Sequence, residues 1–378
     1  MPEFKRGMVP ISADPITNGH IDLILRAFDM CEEIVVLVAN NDEKSGKYMF
    51  TLAQRLDMAE RALGHMDGIQ VVDWDGLLVD AFDELAVDVV FRGVRNDQDR
   101  ADVCNLKGIN SLILAGFEGH VDTLKTSSEL EHVSSSTVKG LVVYGVDVSR
   151  LVPLHVKVAL EEKILGVKLI GITGQIACGK SYVAERLAGR LGGTHVNMDK
   201  LLHDVYAEQT PGGFRLRRQI AEFLGDDVLI SGGEALDRNV MRERLFGGEE
   251  ADELRTALIK LTAPKVMRLL RRRLLRFKGW VIIEWAQLVE MGLTGMVNNR
   301  VIVVDADQPE VFMAKRGIAP GQVDQILEAQ LGFDEKRRWV YEAIKHDRFG
   351  SAMTFHNNTN AGVFGRRMNT LLRQIEVL

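Results

Sequence analysis

Gly171-Ile172-Thr173-Gly174-Gln175-Ile176-Ala177-Cys178-Gly179-Lys180-Ser181 is the stretch that decides the fold of this chain. From Gly174 to Ser181 it runs Gly, four residues, Gly-Lys-Ser, the spacing of a phosphate-binding loop. An apolar run, Val167 to Ile172, leads in, and a helical pattern from Ser181 to Leu191 leads out, so the loop joins a strand to a helix. Gly174 and Gly179 let backbone N–H groups turn inward around phosphate oxygens. The helix that follows points its N-terminus at the same anion. Lys180 is placed to reach the β- and γ-phosphates, and the Ser181 hydroxyl to ligate Mg²⁺. A strand of this kind normally opens its domain, yet 170 residues precede Gly171. Those residues are expected to form a separate unit. They hold a second nucleotide signature, Asp14-Pro15-Ile16-Thr17-Asn18-Gly19-His20.

The chain's 378 residues suit two domains. With 46% hydrophobic and 26% charged residues it has the composition of a globular protein with real cores. A net charge of −6 argues against a general nucleic-acid binder. The three cysteines, Cys31, Cys104 and Cys178, have neither metal-ligand nor disulfide spacing, which fits a reducing compartment. The N-terminus has no signal-peptide pattern, and no apolar run reaches the roughly 18 residues of a membrane span. A cytoplasmic protein without membrane or nucleic-acid partners is the expectation.

Apolar runs alternate with helical patterns, which predicts α/β units with parallel sheets. In the first half, strands are predicted at Gly7–Pro10, Ile34–Ala39, Ile69–Val72, Val87–Phe91 and Ser111–Leu114. Helices are predicted at Gly19–Cys31, Leu52–Leu63, Leu77–Leu85, Ala101–Asn110, Ser135–Tyr144 and Pro153–Leu165. In the second half, strands are predicted at Lys168–Thr173, Thr194–Asn197, Trp280–Glu284 and Arg300–Asp305. Long helices are predicted at Glu253–Phe277, Pro320–Leu331, Asp334–Ile344 and Gly362–Ile375. The domain boundary is placed near Gly166.

Several residues carry chemistry on position alone. The run His195-Val196-Asn197-Met198 is read as a strand ending at Asp199, a carboxylate facing the ligand crevice. Asp199 suits a general base for an acceptor hydroxyl, or equally a helix cap. Glu284 ends the run Val281–Ile283 and suits either a Mg²⁺-water ligand or a charge at a strand mouth. Arg268 to Arg276 suits a solvated helix face or the binding of a polyanionic coenzyme. In the first half, Gly19 allows close approach of backbone to phosphate. His20 stands at a helix N-terminus, where it can donate to a charged transition state without acting as a base.

The second half resembles dephospho-coenzyme A kinase over nearly its whole length. The matching pieces are Thr173 to Ser181, the Asp199 segment, Leu236-Asp237-Arg238, Met241 to Phe246, Val303-Val304-Asp305, and Val323 to Gln330. The resemblance implies that Asp199 removes a proton from the ribose 3′-hydroxyl of dephospho-coenzyme A and that Arg238 lines the acceptor pocket. ATP is expected at Gly174, Ala177, Cys178, Gly179, Lys180, Ser181 and Tyr182, and the positional readings above put Mg²⁺ at Ser181 and, in one of its two readings, at Glu284. The chain departs from the family at Ala263-Pro264, at Ala286-Gln287-Leu288, and at a short lid, Gly317 to Gly321. Only Lys315 or Arg316 remains there to supply charge to the transferring phosphoryl group, so a slow kinase is expected.

The first half resembles phosphopantetheine adenylyltransferase, of the nucleotidyltransferase superfamily, from residue 8 to about 165. Beyond Thr17-Asn18-Gly19-His20, the matches are Met49-Phe50-Thr51-Leu52, Arg92-Gly93-Val94-Arg95, Asp99, Asn110, Ser134 to Lys139, Gly145 to Ser149 and Val152-Pro153. The resemblance implies that Ser12, Gly19 and His20 hold ATP phosphates, with Arg95, Ser134, Ser135 and Ser136 as further donors. It gives Arg92 the phosphate of 4′-phosphopantetheine, with Ser12 and Leu78 on the same substrate. A lysine before Met49 is implied to neutralise the reacting phosphates, and Lys44 and Lys47 both qualify. The implied reaction is direct attack of the pantetheine phosphate on the α-phosphorus of MgATP. Ile11 and Val103 depart from the family near the expected nucleotide site, and weakened ATP binding is expected.

Together these resemblances imply a bifunctional coenzyme A synthase. Residues 1–165 would form a Rossmann-like nucleotidyltransferase sheet, and residues 166–378 a P-loop NTPase-type α/β kinase domain. ATP, 4′-phosphopantetheine and dephospho-coenzyme A are the implied partners, with Mg²⁺ accompanying ATP. Self-assembly through the first domain is compatible with the resemblance. Two rival readings stay open on sequence alone: a related fusion with other small-molecule substrates, and a fusion in which one domain has become a binding module.

Overall fold

The structure, a computed structural model, describes residues 2–40, 46–94, 97–246, 250–307 and 331–378. It divides into two compact units, Met1–Val143 with Asp147–Leu160, and Tyr144–Val146 with Glu161–Leu378.

The first unit is built on a parallel five-stranded sheet in the order β3-β2-β1-β4-β5. The strands are β1 (Phe4–Ile11), β2 (Cys31–Ala39), β3 (Ile69–Trp74), β4 (Val89–Gly93) and β5 (Val121–Leu124). The helices are α1 (Asn18–Phe28), α2 (Leu52–Leu63), α3 (Leu78–Glu84), α4 (Asp97–Ser111), α5 (Ser135–Val143) and α6 (Leu154–Leu160). Residues Ile34 to Val38 of β2 are buried without a break, the pattern of a strand covered on both faces. Central β1 is followed in space by β2 on one side and β4 on the other. This reversal of strand order opens a crevice at the C-terminal ends, where ligands bind in such sheets.

The second unit holds a parallel five-stranded sheet in the order β12-β11-β6-β10-β7. Its strands are β6 (Val167–Gly174), β7 (Thr194–Asn197), β10 (Gly279–Glu284), β11 (Arg300–Ala306) and β12 (Ser351–Asn357), and a short antiparallel pair, β8 (Leu229–Ile230) and β9 (Ala235–Leu236), lies apart from them. The helices are α7 (Lys180–Leu191), α8 (Met198–Tyr206), α9 (Pro211–Leu224), α10 (Arg238–Phe246), α11 (Ala251–Leu274), α12 (Phe333–Asp347) and α13 (Ala361–Ile375). One buried cluster joins Ile170 and Ile172 of β6, Val183 and Leu187 of α7, Phe355 of β12 and Met368 of α13. That packing fixes the strand and helix on either side of the phosphate loop.

Three expectations are corrected. Ser111–Leu114 is not a strand: α4 runs to Ser111, and turn hydrogen bonds from the amides of Leu112, Ile113 and Leu114 continue it. The edge strand is Val121–Leu124, and Leu112 is 87% exposed, so its apolar composition there does not mark burial. The helix after Gly19 ends at Phe28, and Cys31 opens β2. The strand before Asp199 ends at Asn197 rather than reaching Met198, and Asp199 lies in the first turn of α8. The helix over Pro320–Leu331 and the Lys315–Gly321 segment fall outside the described residues, save Leu331, which is not helical.

Candidate active sites

In the first unit, the segment between β1 and α1 is a hub. Asp14 is buried and accepts hydrogen bonds from the amides of Met49 (3.0 Å) and Phe50 (2.9 Å) and from Lys139 Nζ (2.6 Å). Burial pushes its carboxyl up, but the Lys139 and amide hydrogen bonds prevail and hold it below the ordinary 3.8. Ser135 Oγ donates to the Pro15 carbonyl at 2.8 Å. Arg92, at the end of β4, donates to the Pro10 carbonyl at 3.4 Å. Burial lowers the Arg92 guanidinium from its ordinary value, and the charges of Asp102 and Asp99 oppose that. Arg55 is 1% exposed and donates to the Ser12, Ala39 and Asn40 oxygens beneath the same loop, with its guanidinium 4.2 Å from the centre of the Tyr48 ring. Met49–Phe50, Arg55, Arg92 and the helix that carries Ser135 and Lys139 therefore meet at Pro10–Pro15.

His20 owes its orientation to the helix start. Thr17 caps α1, accepting from the His20 amide, and the Thr17 N–H donates back to His20 Nδ1 at 3.1 Å. That reciprocal capping box has histidine where Glu or Gln is usual. Because Nδ1 accepts, the ring hydrogen of neutral His20 lies on Nε2. Gly19 also makes room for a neighbouring segment. A Cβ there would lie 2.9 Å from the Val133 carbonyl, so its bareness seats the chain that leads into Ser134–Ser136. Ser134 Oγ accepts the Thr137 N–H at 3.1 Å in the manner of a helix cap, and Ser136 is exposed. Lys47 is exposed and Leu78 half-buried, while Lys44 and Arg95 lie outside the described residues. Val103, the departure from the family near the expected nucleotide site, is 5% exposed and packs in the core with Phe117 and Val121. Ile11 is likewise buried.

In the second unit, the phosphate loop has its defining backbone. Gly174 has φ 151°, and a Cβ there would lie 2.2 Å from the Val304 carbonyl. Ala177 (φ 60°) and Gly179 (φ 82°) are left-handed, the turns that aim successive N–H groups into one hollow. The N-terminus of α7 has no side-chain cap, which leaves its first amides for an anion. Lys180 Nζ donates to the Gln175 carbonyl at 2.6 Å, folded across the loop. Cys178 is buried, and burial raises its thiol. Asn357, at the end of β12, donates to the Cys178 carbonyl at 3.0 Å and so ties the loop to the sheet. Tyr182 is 47% exposed, with its ring 5.0 Å from that of Phe364 and 5.1 Å from the Arg186 guanidinium.

Behind the loop lies Glu284, 5% exposed. Ser181 Oγ donates to its Oε1 at 2.7 Å. His195 Nε2 and Asn197 Nδ2 approach its Oε2 at 2.9 and 2.6 Å. Burial pushes this carboxyl up, yet hydrogen bonds from His195 and Ser181 and the charges of His195 and Lys180 hold it below the ordinary 4.5. The Ala286 carbonyl accepts from Thr173 Oγ1 (3.0 Å) and from fully buried Lys336 (2.7 Å), whose ammonium also pairs with Glu290.

Asp199 is exposed, and Asn197, not Asp199, caps α8 by accepting the Lys200 N–H at 2.9 Å. On the same helix His203 accepts from Arg238 at 2.7 Å, taking that hydrogen bond as the neutral imidazole. Burial and the Arg238 charge lower His203, while Asp199 and Asp204 oppose. Asp199 and His203, four residues apart, share a helical face with Arg238 beside them.

Sequence reasoning missed Arg55, Lys139, His195, Asn197, His203, Lys336 and Asn357 as site residues. Lys139, His195 and Asn197 lay inside runs already singled out, though no role was read for them. The others act through contacts between distant segments, for which the sequence holds no local signal.

Comparison with known proteins adds the families. The dephospho-CoA kinase family profile matches residues 168–348, and a cytidylyltransferase-like profile matches residues 11–141. Phosphopantetheine adenylyltransferase from Staphylococcus saprophyticus is 35% identical over 158 residues, 42% of this chain and 96% of that protein. The enzyme of that name from Histophilus somni is 34% identical over 154 residues, 41% of this chain and 95% of that protein. Among solved structures, TT1252 from Thermus thermophilus is 24% identical over 56% of this chain and 96% of its own, with a TM-score of 0.43. Dephospho-CoA kinase from Campylobacter jejuni is 20% identical over 55% of this chain and 97% of its own, with a TM-score of 0.32. The chain therefore belongs, through its first half, to the phosphopantetheine adenylyltransferase family, and its second half is a dephospho-CoA kinase domain fused to it.

Proposed function

We propose that this chain carries out the last two steps of coenzyme A biosynthesis. Its first unit transfers the adenylyl group of ATP to 4′-phosphopantetheine, and its second phosphorylates the ribose 3′-hydroxyl of the dephospho-CoA so formed. The observation that carries this reading is the pairing, on one polypeptide, of an adenylyltransferase-family unit with a dephospho-CoA kinase domain. The product of the first reaction is the substrate of the second.

In the first step, a phosphate oxygen of 4′-phosphopantetheine bonds to the α-phosphorus of ATP as the bond to the β-phosphate breaks and pyrophosphate leaves. His20 donates from Nε2 to the α-phosphate, where charge builds, and Thr17 holds the ring for that task. Ser12, Gly19, Ser134–Ser136 and Arg95 hold the nucleotide. Arg92 holds the acceptor phosphate, Leu78 its organic arm, and Lys47 neutralises the reacting groups. Positioning and charge, without a covalent intermediate, supply the catalysis.

In the second step, the loop amides, the α7 N-terminus and Lys180 hold the second ATP, with Tyr182 beside it. Asp199 takes the proton of the acceptor hydroxyl as that oxygen bonds to the γ-phosphorus, and ADP leaves. Arg238 holds the acceptor. Ser181 and Glu284 offer a hydroxyl and a carboxylate oxygen, hard donors that suit Mg²⁺ held jointly with nucleotide phosphates. Bound there, Mg²⁺ would supply positive charge to the β- and γ-oxygens. The same reading places the protein in the cytoplasm, consistent with its free Cys31, Cys104 and Cys178.

Paired variants test the assignment. Full-length His20→Ala should lose only the first step and Lys180→Ala only the second, and a mixture of the two should again make coenzyme A. Loss of both steps in either variant, in a protein that remains folded, would refute the division of labour.

A further inference from the structure

Parallel pairing of β10 with β7 sets Glu284 level with Asn197 and Ile282 level with His195. Both neighbouring polar side chains converge on the same carboxylate oxygen, Oε2, at 2.9 and 2.6 Å. A carboxylate oxygen has two lone-pair sites, so these two donors fill Oε2. Oε1 has the Ser181 hydroxyl at 2.7 Å and a second site to offer. An ionised carboxylate has no hydrogen to give, so the hydrogen between it and His195 sits on Nε2. Asn197 does double duty, since its Oδ1 also caps the helix that carries Asp199.

We propose that His195 and Asn197 are positioning residues of the kinase site: by occupying Oε2 they restrict Glu284 to offering the cation a single oxygen, Oε1. The proposal rests on the reading that Glu284 faces the ATP-bound cation. Its consequence is metal selectivity. Mg²⁺ demands near-octahedral geometry, keeps several waters and takes few protein oxygens, whereas Ca²⁺ accepts more ligands and readily takes a carboxylate through both oxygens. A Glu284 held at Oε2 suits the first cation, and one released at Oε2 can chelate the second.

The test is ATP binding to the full-length protein, by calorimetry without acceptor, in EDTA, Mg²⁺ or Ca²⁺. A Lys180→Met protein defines the ATP bound by the first unit, which is subtracted under each condition. Wild type is compared with His195→Ala, with His195→Leu, which keeps bulk but lacks the donor, with His195→Gln, which restores a donor, and with Glu284→Gln. In His195→Ala and His195→Leu the preference for Mg²⁺ over Ca²⁺ should fall roughly tenfold, the effect of losing a partner that orients a metal ligand. Affinity in EDTA should hold, and His195→Gln should keep most of the preference. If His195→Ala and His195→Leu retain the wild-type preference while Glu284→Gln abolishes the metal effect, the positioning role is overturned and Glu284 remains a metal-facing residue. If Glu284→Gln binds MgATP as wild type does, Glu284 does not face the cation and both readings fall.

Discussion

Ser181 and Glu284 lie 103 residues apart in the chain, yet the serine hydroxyl donates to the carboxylate over 2.7 Å. The bond uses the hydroxyl hydrogen on Glu284, so the oxygen keeps only lone pairs to offer. It joins the end of β10 to the first turn of α7, so the loop is clamped from the sheet side. Ser181→Ala should therefore raise the ATP KM of the kinase step and leave adenylyl transfer unchanged, as two separate steady-state assays would record.

Lys180 bridges its own loop to the Gln175 carbonyl, and on the proposed function a phosphate oxygen takes the place of that carbonyl. On that function, Lys180→Ala removes a charge that acts most strongly as the phosphoryl group moves. The kinase kcat should fall by about 10²–10³-fold, by analogy with other preorganised donors. Dephospho-CoA should then accumulate from 4′-phosphopantetheine, and a kcat within a factor of about two of wild type would contradict the role.

His20 is held by Thr17 at Nδ1, which leaves the ring hydrogen of the neutral imidazole on Nε2. His20→Ala should cost the adenylyl step about 10²–10³-fold in kcat with a small change in KM, because the donor acts on charge that develops in the transition state. A change confined to KM would make His20 a ground-state binder only.

Gly174 cannot accept a side chain without displacing the Val304 backbone. Gly174→Ala should destabilise the second unit by at least ~2 kcal/mol through strain at φ 151° and the clash. Thermal unfolding of the full chain should show one transition lowered.

Asp14 titrates lower in the folded protein than the ordinary 3.8. A carboxyl shifted in this direction stabilises the fold fully above 3.8, and the stabilisation disappears as pH falls through the lower folded value. Asp14→Asn should cost about 2–3 kcal/mol at neutral pH by leaving Lys139 and two amides poorly served. The difference between variant and wild type in denaturant melts should shrink on acidification below 3.8. A gap that widened there would contradict the sign.

The parallel sheets were legible because buried strands write themselves as apolar runs. Val167–Ile172, Ile34–Ala39 and Val281–Ile283 could be placed from composition alone, as could the phosphate loop from its spacing. β12 escaped because its alternation, with Met353 and Phe355 inward and Thr354 and His356 outward, lies in a polar stretch. Ser111–Leu114 misled because three apolar residues, Leu112 to Leu114, that continue a helix look, in sequence, like part of a short strand. Site residues on local motifs, His20 and Lys180, were legible. Residues such as His195 and Arg55 were not, because their roles depend on register between strands and on loops brought together from 15 to 89 positions away.

The central claim is two consecutive reactions in one chain. The direct measurement is a mass-spectrometric time course of purified full-length protein with 4′-phosphopantetheine and MgATP. Dephospho-CoA rising first, then coenzyme A at its expense, with pyrophosphate and ADP released in turn, is the expected result. Failure to form dephospho-CoA, or failure to phosphorylate it when it is added directly, would contradict the assignment of the corresponding unit.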